Sequence, residues 1–262
     1  ILYTLYSKHM NISTSDTKWL NRDRFVMSAG CGSSLLYATL FYAGYDLLID
    51  DLKNYRKLDS KTPGFPEYGK TDGVDASTGI AGSGFGVAVG MALAEKMLET
   101  KYIIPSSTRI ERDRSLINYR VYALCTETDM MEGITNEAAS IAGNLNLDNL
   151  IVLYDSNNIT IDGDTSITFT EKVLDKFKAL GWYTDSVKNG NDIALIDKAI
   201  DKAKSSGMPS IIEVKTILGE GSLLAGSKEI YNKPLETKDI EQLKQKLELP
   251  QEKFYINDEA VK

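Results

Sequence analysis

Histidine is all but missing: His9 is the only imidazole in 262 residues, which excludes any mechanism built on several histidines acting as acids, bases or metal ligands. Cysteine is nearly as scarce. Cys31 and Cys125 are the only two and stand in no CxxC or CxxH context, so no disulfide framework or zinc knuckle is encoded, and both are read as reduced, buried thiols. No apolar run approaches the roughly 18 residues of a membrane span, and the N-terminus has neither the basic start nor the small-residue cleavage site of a secretory signal. Positive charge is in deficit. Thirty Lys and Arg face 37 Asp and Glu, a net charge of -7, so no basic field draws nucleic acid or anionic lipid. These absences point to the cytoplasm, with neither nucleic acid nor membrane as partner. What remains is a globular composition, 42% hydrophobic and 26% charged, with length for one large α/β unit.

The pattern along the chain divides near residue 119. Before it, ILYTLYSKHM is helix-like but uncapped, as if the chain began inside a helix. RFVMSAG reads as a short strand running through Ala29-Gly30-Cys31-Gly32-Ser33-Ser34 into a helix with Leu35, Leu36, Thr39 and Leu40 on one face. A polar helix is expected near 46–57, then a Gly, Pro and Asp-rich loop, TPGFPEYGKTDGVDASTG, of the kind that covers a site. GFGVAVGMALAEKMLET (84–100) is a helix whose small first half allows close approach to a neighbour. From 119 onward, β-branched and apolar runs at 119–125, 149–155, 181–187 and 209–216 alternate with helices at 132–145, 170–180 and 191–206. That alternation predicts a three-layer, doubly wound, mostly parallel sheet with helices on both faces. A helix at 237–247 follows. No internal repeat or linker is present, so residues 1–262 are expected to form one domain.

In such sheets ligands sit at the carboxyl ends of the strands. Two loops there carry chemistry: Thr126-Glu127-Thr128-Asp129-Met130-Met131-Glu132-Gly133, and Asp155-Ser156-Asn157-Asn158-Ile159-Thr160-Ile161-Asp162-Gly163. Together they offer carboxylates, a side-chain amide and backbone carbonyls, hard oxygen donors suited to Mg²⁺ or Ca²⁺ bridging a diphosphate. Asp and Asn in such loops equally serve as helix caps and turn residues, so Glu127 as a cap and Asn157 as a turn former stand beside that reading.

The segments WLNRDRFVMSAG, GYDL, TPGFPE, VAVGMALAE, EGITNEAASIAGNLNLDNLI, YDSNNITIDG and GEGSLLAGS, in this order, resemble the N-terminal, diphosphate-binding domain of transketolases over nearly the whole chain. The resemblance implies a domain that binds thiamine diphosphate and a divalent cation for ketol transfer between sugar phosphates. It places the family's metal ligands at Glu127, Asn157 and the Ile159 carbonyl, and its cofactor contacts at Gly79, Ala81, Gly82, Thr126, Thr128, Asn157 and Ile161.

Several of these positions depart from the family's pattern. A GDG aspartate has become Glu127, whose extra methylene moves the carboxylate about 1.5 Å outward, poorly tolerated by Mg²⁺ with its near-ideal octahedral shell. The flanking glycines are Thr126 and Thr128, which is expected to obstruct backbone approach to phosphate and any positive φ. A GPLGQG-like loop reads Gly79-Ile80-Ala81-Gly82-Ser83-Gly84, lacks its proline and is expected to be looser. The family's histidines are replaced by Cys31, Phe65 and Tyr231, and its SGHPG-like segment would lie before Ile1. Phe65 neither donates nor accepts a hydrogen bond. Tyr231 and Cys31, with ordinary pKa values near 10 and 8.5, are poor proton-transfer groups at neutral pH. The bland alternative is that Cys31 is a packed thiol and that Phe65 and Tyr231 plug the space that cofactor or substrate would fill.

The resemblance also implies that the cofactor is completed by a pyrimidine-binding domain of a partner subunit, which this stretch does not include. Two readings follow: a non-catalytic transketolase-like domain, natural pseudoenzyme or engineered scaffold, impaired in cofactor binding; or one half of a split transketolase working with a separate pyrimidine-domain subunit. The small-residue helix from Gly84 and the apolar loop at Leu223 and Leu224 are expected to lie open, which favours a homo-oligomer or that partner.

Overall fold

The structure, a computed structural model, describes residues 1–104, 114–231 and 233–257. Five parallel strands form its centre: β1 (Arg24–Met27), β2 (Val121–Thr126), β3 (Leu150–Ser156), β4 (Tyr183–Val187) and β5 (Ser210–Lys215), in the order β1-β2-β3-β5-β4. Strand side chains alternate between faces, and here both faces are covered. Val121, Ala123, Cys125, Leu150 and Val152 enter one core; Tyr122, Leu124, Ile151 and Leu153 enter the other. This two-sided burial is why β2 and β3 read as unbroken apolar runs.

The helices are α1 (Ser33–Tyr42), α2 (Ser83–Lys101), α3 (Glu127–Met131), α4 (Gly133–Asn144), α5 (Val173–Ala179), α6 (Ile193–Lys204) and α7 (Thr237–Lys246). Residues of α2, α4 and α5 contribute to the first core and those of α1 and α6 to the second. Helix α2 comes so close to the end of β1 that a Cβ on Gly84 would lie 2.5 Å from the Ser28 Cα. A side chain there would collide with backbone. Phe85, Phe177 and Trp182 form an aromatic cluster beneath α2, with Trp182 Nε1 donating to the Ala139 carbonyl at 2.8 Å.

Three expectations change. The polar helix near 46–57 is only Ile49–Lys53; Asn54 leaves helical geometry at φ -94 and ψ 15, and the chain turns left-handed at Arg56 (φ 63) beyond it. At the N-terminus, the helical stretch includes a π segment at Leu5–His9. Two short antiparallel ribbons were not foreseen, Ile103–Ile104 with Arg114–Ser115 and Ile159–Thr160 with Gly163–Asp164. Among the described residues, no helix is long and apolar enough to cross a membrane.

Candidate functional site at the carboxyl ends of the central strands

β2 and β3 run in register to their ends, Thr126 opposite Asp155, so the segments that follow them face one crevice. A cavity of about 150 Å³ opens there, lined on its polar side by Cys31, Thr126, Glu127, Thr128, Asp155, Asn157 and Tyr231, with Ile159 beside them and Leu35, Leu124 and Leu218 opposite. Small-molecule sites typically occupy about 300–1,000 Å³, so this cavity alone is too small to enclose a cofactor of diphosphate and two rings.

Glu127 is 2% exposed. Its Oε1 accepts the Asn158 backbone N–H at 2.7 Å, while Oε2 is buried without a partner. Burial pushes its carboxyl up to about 7, against the hydrogen bond from Asn158 and with the help of the nearby Asp155 charge. Asp155 is also raised by burial, opposed by a hydrogen bond from the Thr216 hydroxyl. Asn157 turns its side-chain oxygen back onto its own loop, accepting the Ile159 N–H at 3.0 Å. Tyr231 is raised by partial burial and by the neighbouring Cys31, with a hydrogen bond to Thr128 acting the other way.

Not every expected residue reaches this cavity. Cys31 lines it but is exposed rather than buried; Cys125 is fully buried in the sheet. Phe65 is no plug. Its ring lies against Gly30 and Gly79 and is 46% exposed, outside the cavity wall. Gly79, Ala81 and Gly82 lie on a separate loop, and Ile161 is 65% exposed at the tip of the Ile159–Asp164 ribbon.

The threonines do not strain the backbone. Thr126 is extended at φ -121 and Thr128 lies within α3, so neither position demands positive φ. Their hydroxyls meet each other at 3.0 Å. Nor is the Gly79–Gly84 loop left untethered, because Asp129, a residue the sequence reading passed over, holds it. This carboxylate is 1% exposed and accepts the Gly82 N–H (2.8 Å) and the Ser28 hydroxyl (2.6 Å) on Oδ1 and the Thr126 N–H (2.9 Å) on Oδ2. The signal that would have found it is a helix-start pattern, Thr126-x-x-Asp129, in which the N3 carboxylate reaches back to the N-cap amide.

Comparison with known proteins agrees with this architecture. The family model described as "Transketolase, thiamine diphosphate binding domain" matches residues 1–262. Among curated relatives, the transketolase of Aquifex aeolicus is 44% identical over 261 residues, covering 100% of this chain and 37% of that protein. The transketolase of Bacillus subtilis is 45% identical over 262 residues, 98% of this chain and 38% of its own. Among solved structures, the Leishmania mexicana transketolase superposes with a TM-score of 0.93 at 40% identity, covering 98% of this chain and 38% of that one. A Pichia stipitis transketolase superposes at 0.94 and 38% identity, covering 99% of this chain and 38% of its own. The chain thus spans under two fifths of the length of the relatives it matches. From its sheet order, the crevice at its strand ends and a family match over its whole length, the chain belongs to the transketolase family, as its thiamine diphosphate binding domain.

Proposed function

We propose that this domain keeps the transketolase scaffold but does not hold thiamine diphosphate with a divalent cation, and acts as a non-catalytic, transketolase-like domain in the cytoplasm. The observation that carries the reading is Glu127. At the position of the family's metal-binding carboxylate, one oxygen is engaged by the Asn158 N–H and the other is sealed from solvent. The other two donors are turned into the hairpin: the Asn157 side-chain oxygen accepts the Ile159 N–H, and Ile159 pairs with Asp164 in the ribbon. Threonine side chains at 126 and 128 and the phenol of Tyr231 narrow the crevice where a diphosphate would lie. The residues therefore do not fit the cofactor and its ion, and no reaction step is derived through them.

The second reading is one half of a split transketolase. It is favoured by the identity retained over the full span, 44% to the Aquifex protein. On that reading, a separate pyrimidine-domain subunit completes a site for ketol transfer between sugar phosphates. Titration calorimetry with thiamine diphosphate plus Mg²⁺ or Ca²⁺ separates the two. The first reading expects no binding below millimolar concentrations, and a micromolar dissociation constant refutes it. The triple variant Thr126→Gly, Glu127→Asp, Thr128→Gly is expected to gain measurable affinity.

A further inference from the structure

We propose that Glu127 is a latch: its carboxyl accepts the Asn158 N–H and pins the Asn157–Asp164 hairpin to the end of β2, a direct hydrogen bond standing where the family joins the same two segments through a cation. The proposal rests on the reading that no cation occupies this site. The hairpin is closed on itself by short-range bonds. Asn158 sits left-handed at φ 63, a conformation asparagine tolerates better than most residues. Its carbonyl accepts the Thr165 N–H at 3.0 Å, and the Thr160 hydroxyl donates to the Gly163 carbonyl at 3.0 Å. None of these bonds fixes the hairpin relative to the sheet. At its base the 2.7 Å bond from Asn158 to Glu127 does so, because Glu127 is the first residue of α3, directly after β2, and is itself almost wholly buried; at its tip the exposed Lys228 Nζ donates to the Asp162 carbonyl at 3.2 Å, a contact away from the sheet end.

Side-chain length decides who can make this bond. An aspartate at 127 carries its carboxylate about 1.5 Å nearer its own backbone. The separation from the Asn158 nitrogen would then exceed hydrogen-bonding distance. The extra methylene that makes Glu127 a poor substitute in a cation shell is what lets it span the gap unaided. A glutamine has the same reach and still presents a carbonyl oxygen, so the latch depends on length and an acceptor and not on charge.

Residue-resolved amide hydrogen exchange on the full chain tests this, with the β3 amides of Val152 and Leu153 as an internal reference. Exchange at Asn158 is expected to rise about tenfold in Glu127→Asp and Glu127→Ala, the scale of one lost hydrogen bond to an acidic acceptor, while β3 is unchanged. Glu127→Gln is expected to stay within about twofold of the wild type. EDTA is expected to leave wild-type protection at Asn158 as it was. Four results overturn the latch: unchanged exchange in Glu127→Asp and Glu127→Ala; an equal rise in β3, which would make Glu127 a core residue; exchange in Glu127→Gln as fast as in Glu127→Ala; or loss of protection on adding EDTA. The calorimetric test stands apart, since binding of thiamine diphosphate by the wild type sinks the functional reading whatever these amides do.

Discussion

Removing the Asp129 carboxylate should damage the protein more than any change at the cavity rim. In Asp129→Ala, the three short bonds to this carboxylate are lost at once, those from the Gly82 N–H, the Ser28 hydroxyl and the Thr126 N–H, together with a longer one of 3.4 Å from the Thr126 hydroxyl. All three bonds are short, and the carboxylate is 1% exposed, so water does not take its place without rearrangement. A hydrogen bond to a charged group contributes about 1.5–3 kcal/mol, and a stranded buried donor costs about 1–3 kcal/mol. Because the three bonds share one acceptor, their loss is not additive, and about 3–5 kcal/mol is expected, the range seen when one member of a buried charged network is deleted. Against a total stability of about 5–15 kcal/mol, that is a large fraction. Ser28→Ala removes one of the bonds and should cost about 1–2 kcal/mol. Asp129→Asn keeps one carbonyl oxygen and should fall between the two. The assay is urea denaturation followed by circular dichroism, reading the midpoint at constant slope. A midpoint shift in Asp129→Ala worth less than about 1 kcal/mol would refute the argument that this carboxylate organises the loops around the crevice.

The remaining predictions concern titration and thiol access. Glu95 is 1% exposed, accepts the Asn149 side-chain N–H at 2.7 Å and is pushed up to about 7 by burial, against the nearby Lys96. The folded state therefore binds its proton more tightly than the unfolded chain, where the pKa is about 4.3. The stabilisation is complete below that value and is lost as pH rises toward 7, up to about 3 kcal/mol. Urea midpoints of wild type and Glu95→Gln measured from pH 5 to 8 should diverge in favour of the glutamine variant as pH rises, and a pH-independent gap would refute the shift. Cys31 is exposed and Cys125 fully buried, so a colorimetric thiol reagent should titrate one group per native chain and two in guanidinium. Native Cys31→Ser should give none, and a reactive thiol remaining in it would contradict the burial of Cys125.

The sheet was legible because its physics leaves an unambiguous mark. Strands buried on both faces carry few polar residues, so 121–125 and 150–154 stand out as apolar runs, with Thr126, Asp155 and Ser156 appearing only where the strands reach the crevice. Helix α6 was legible for a different reason: Asp192 begins it by accepting the Leu195 N–H, and Ile196, Ala199, Ile200 and Ala203 recur on its inner face. What stayed hidden was geometry that local sequence does not encode. The Ile159–Asp164 ribbon has too few residues per strand to show a period. That threonine fits at 126 and 128 without any positive φ was hidden as well, because backbone φ depends on how the chain leaves β2, here an extended residue followed at once by a helix. The surroundings of Phe65 were equally hidden, because its motif position does not reveal that its ring packs against Gly79 on another loop. For Glu127 the residue type was read correctly as an anomaly; that its oxygen reaches Asn158 emerges only once two segments distant in sequence are brought together.

The order of the strands also bears on how the chain reaches this state. Val121 pairs with Leu150, its neighbour across the consecutive helices α3 and α4, but Arg24 at the sheet's edge pairs with Val121 across α1 and α2 and the long segments around them. Loop closure entropy grows with the logarithm of length, so docking β1 costs about 1 kcal/mol more than pairing β2 with β3. Assembly should therefore begin from the middle of the chain, with the first strand arriving late upon a nucleus already formed. During synthesis, β1 would wait unpaired until β2 and β3 had both emerged from the ribosome.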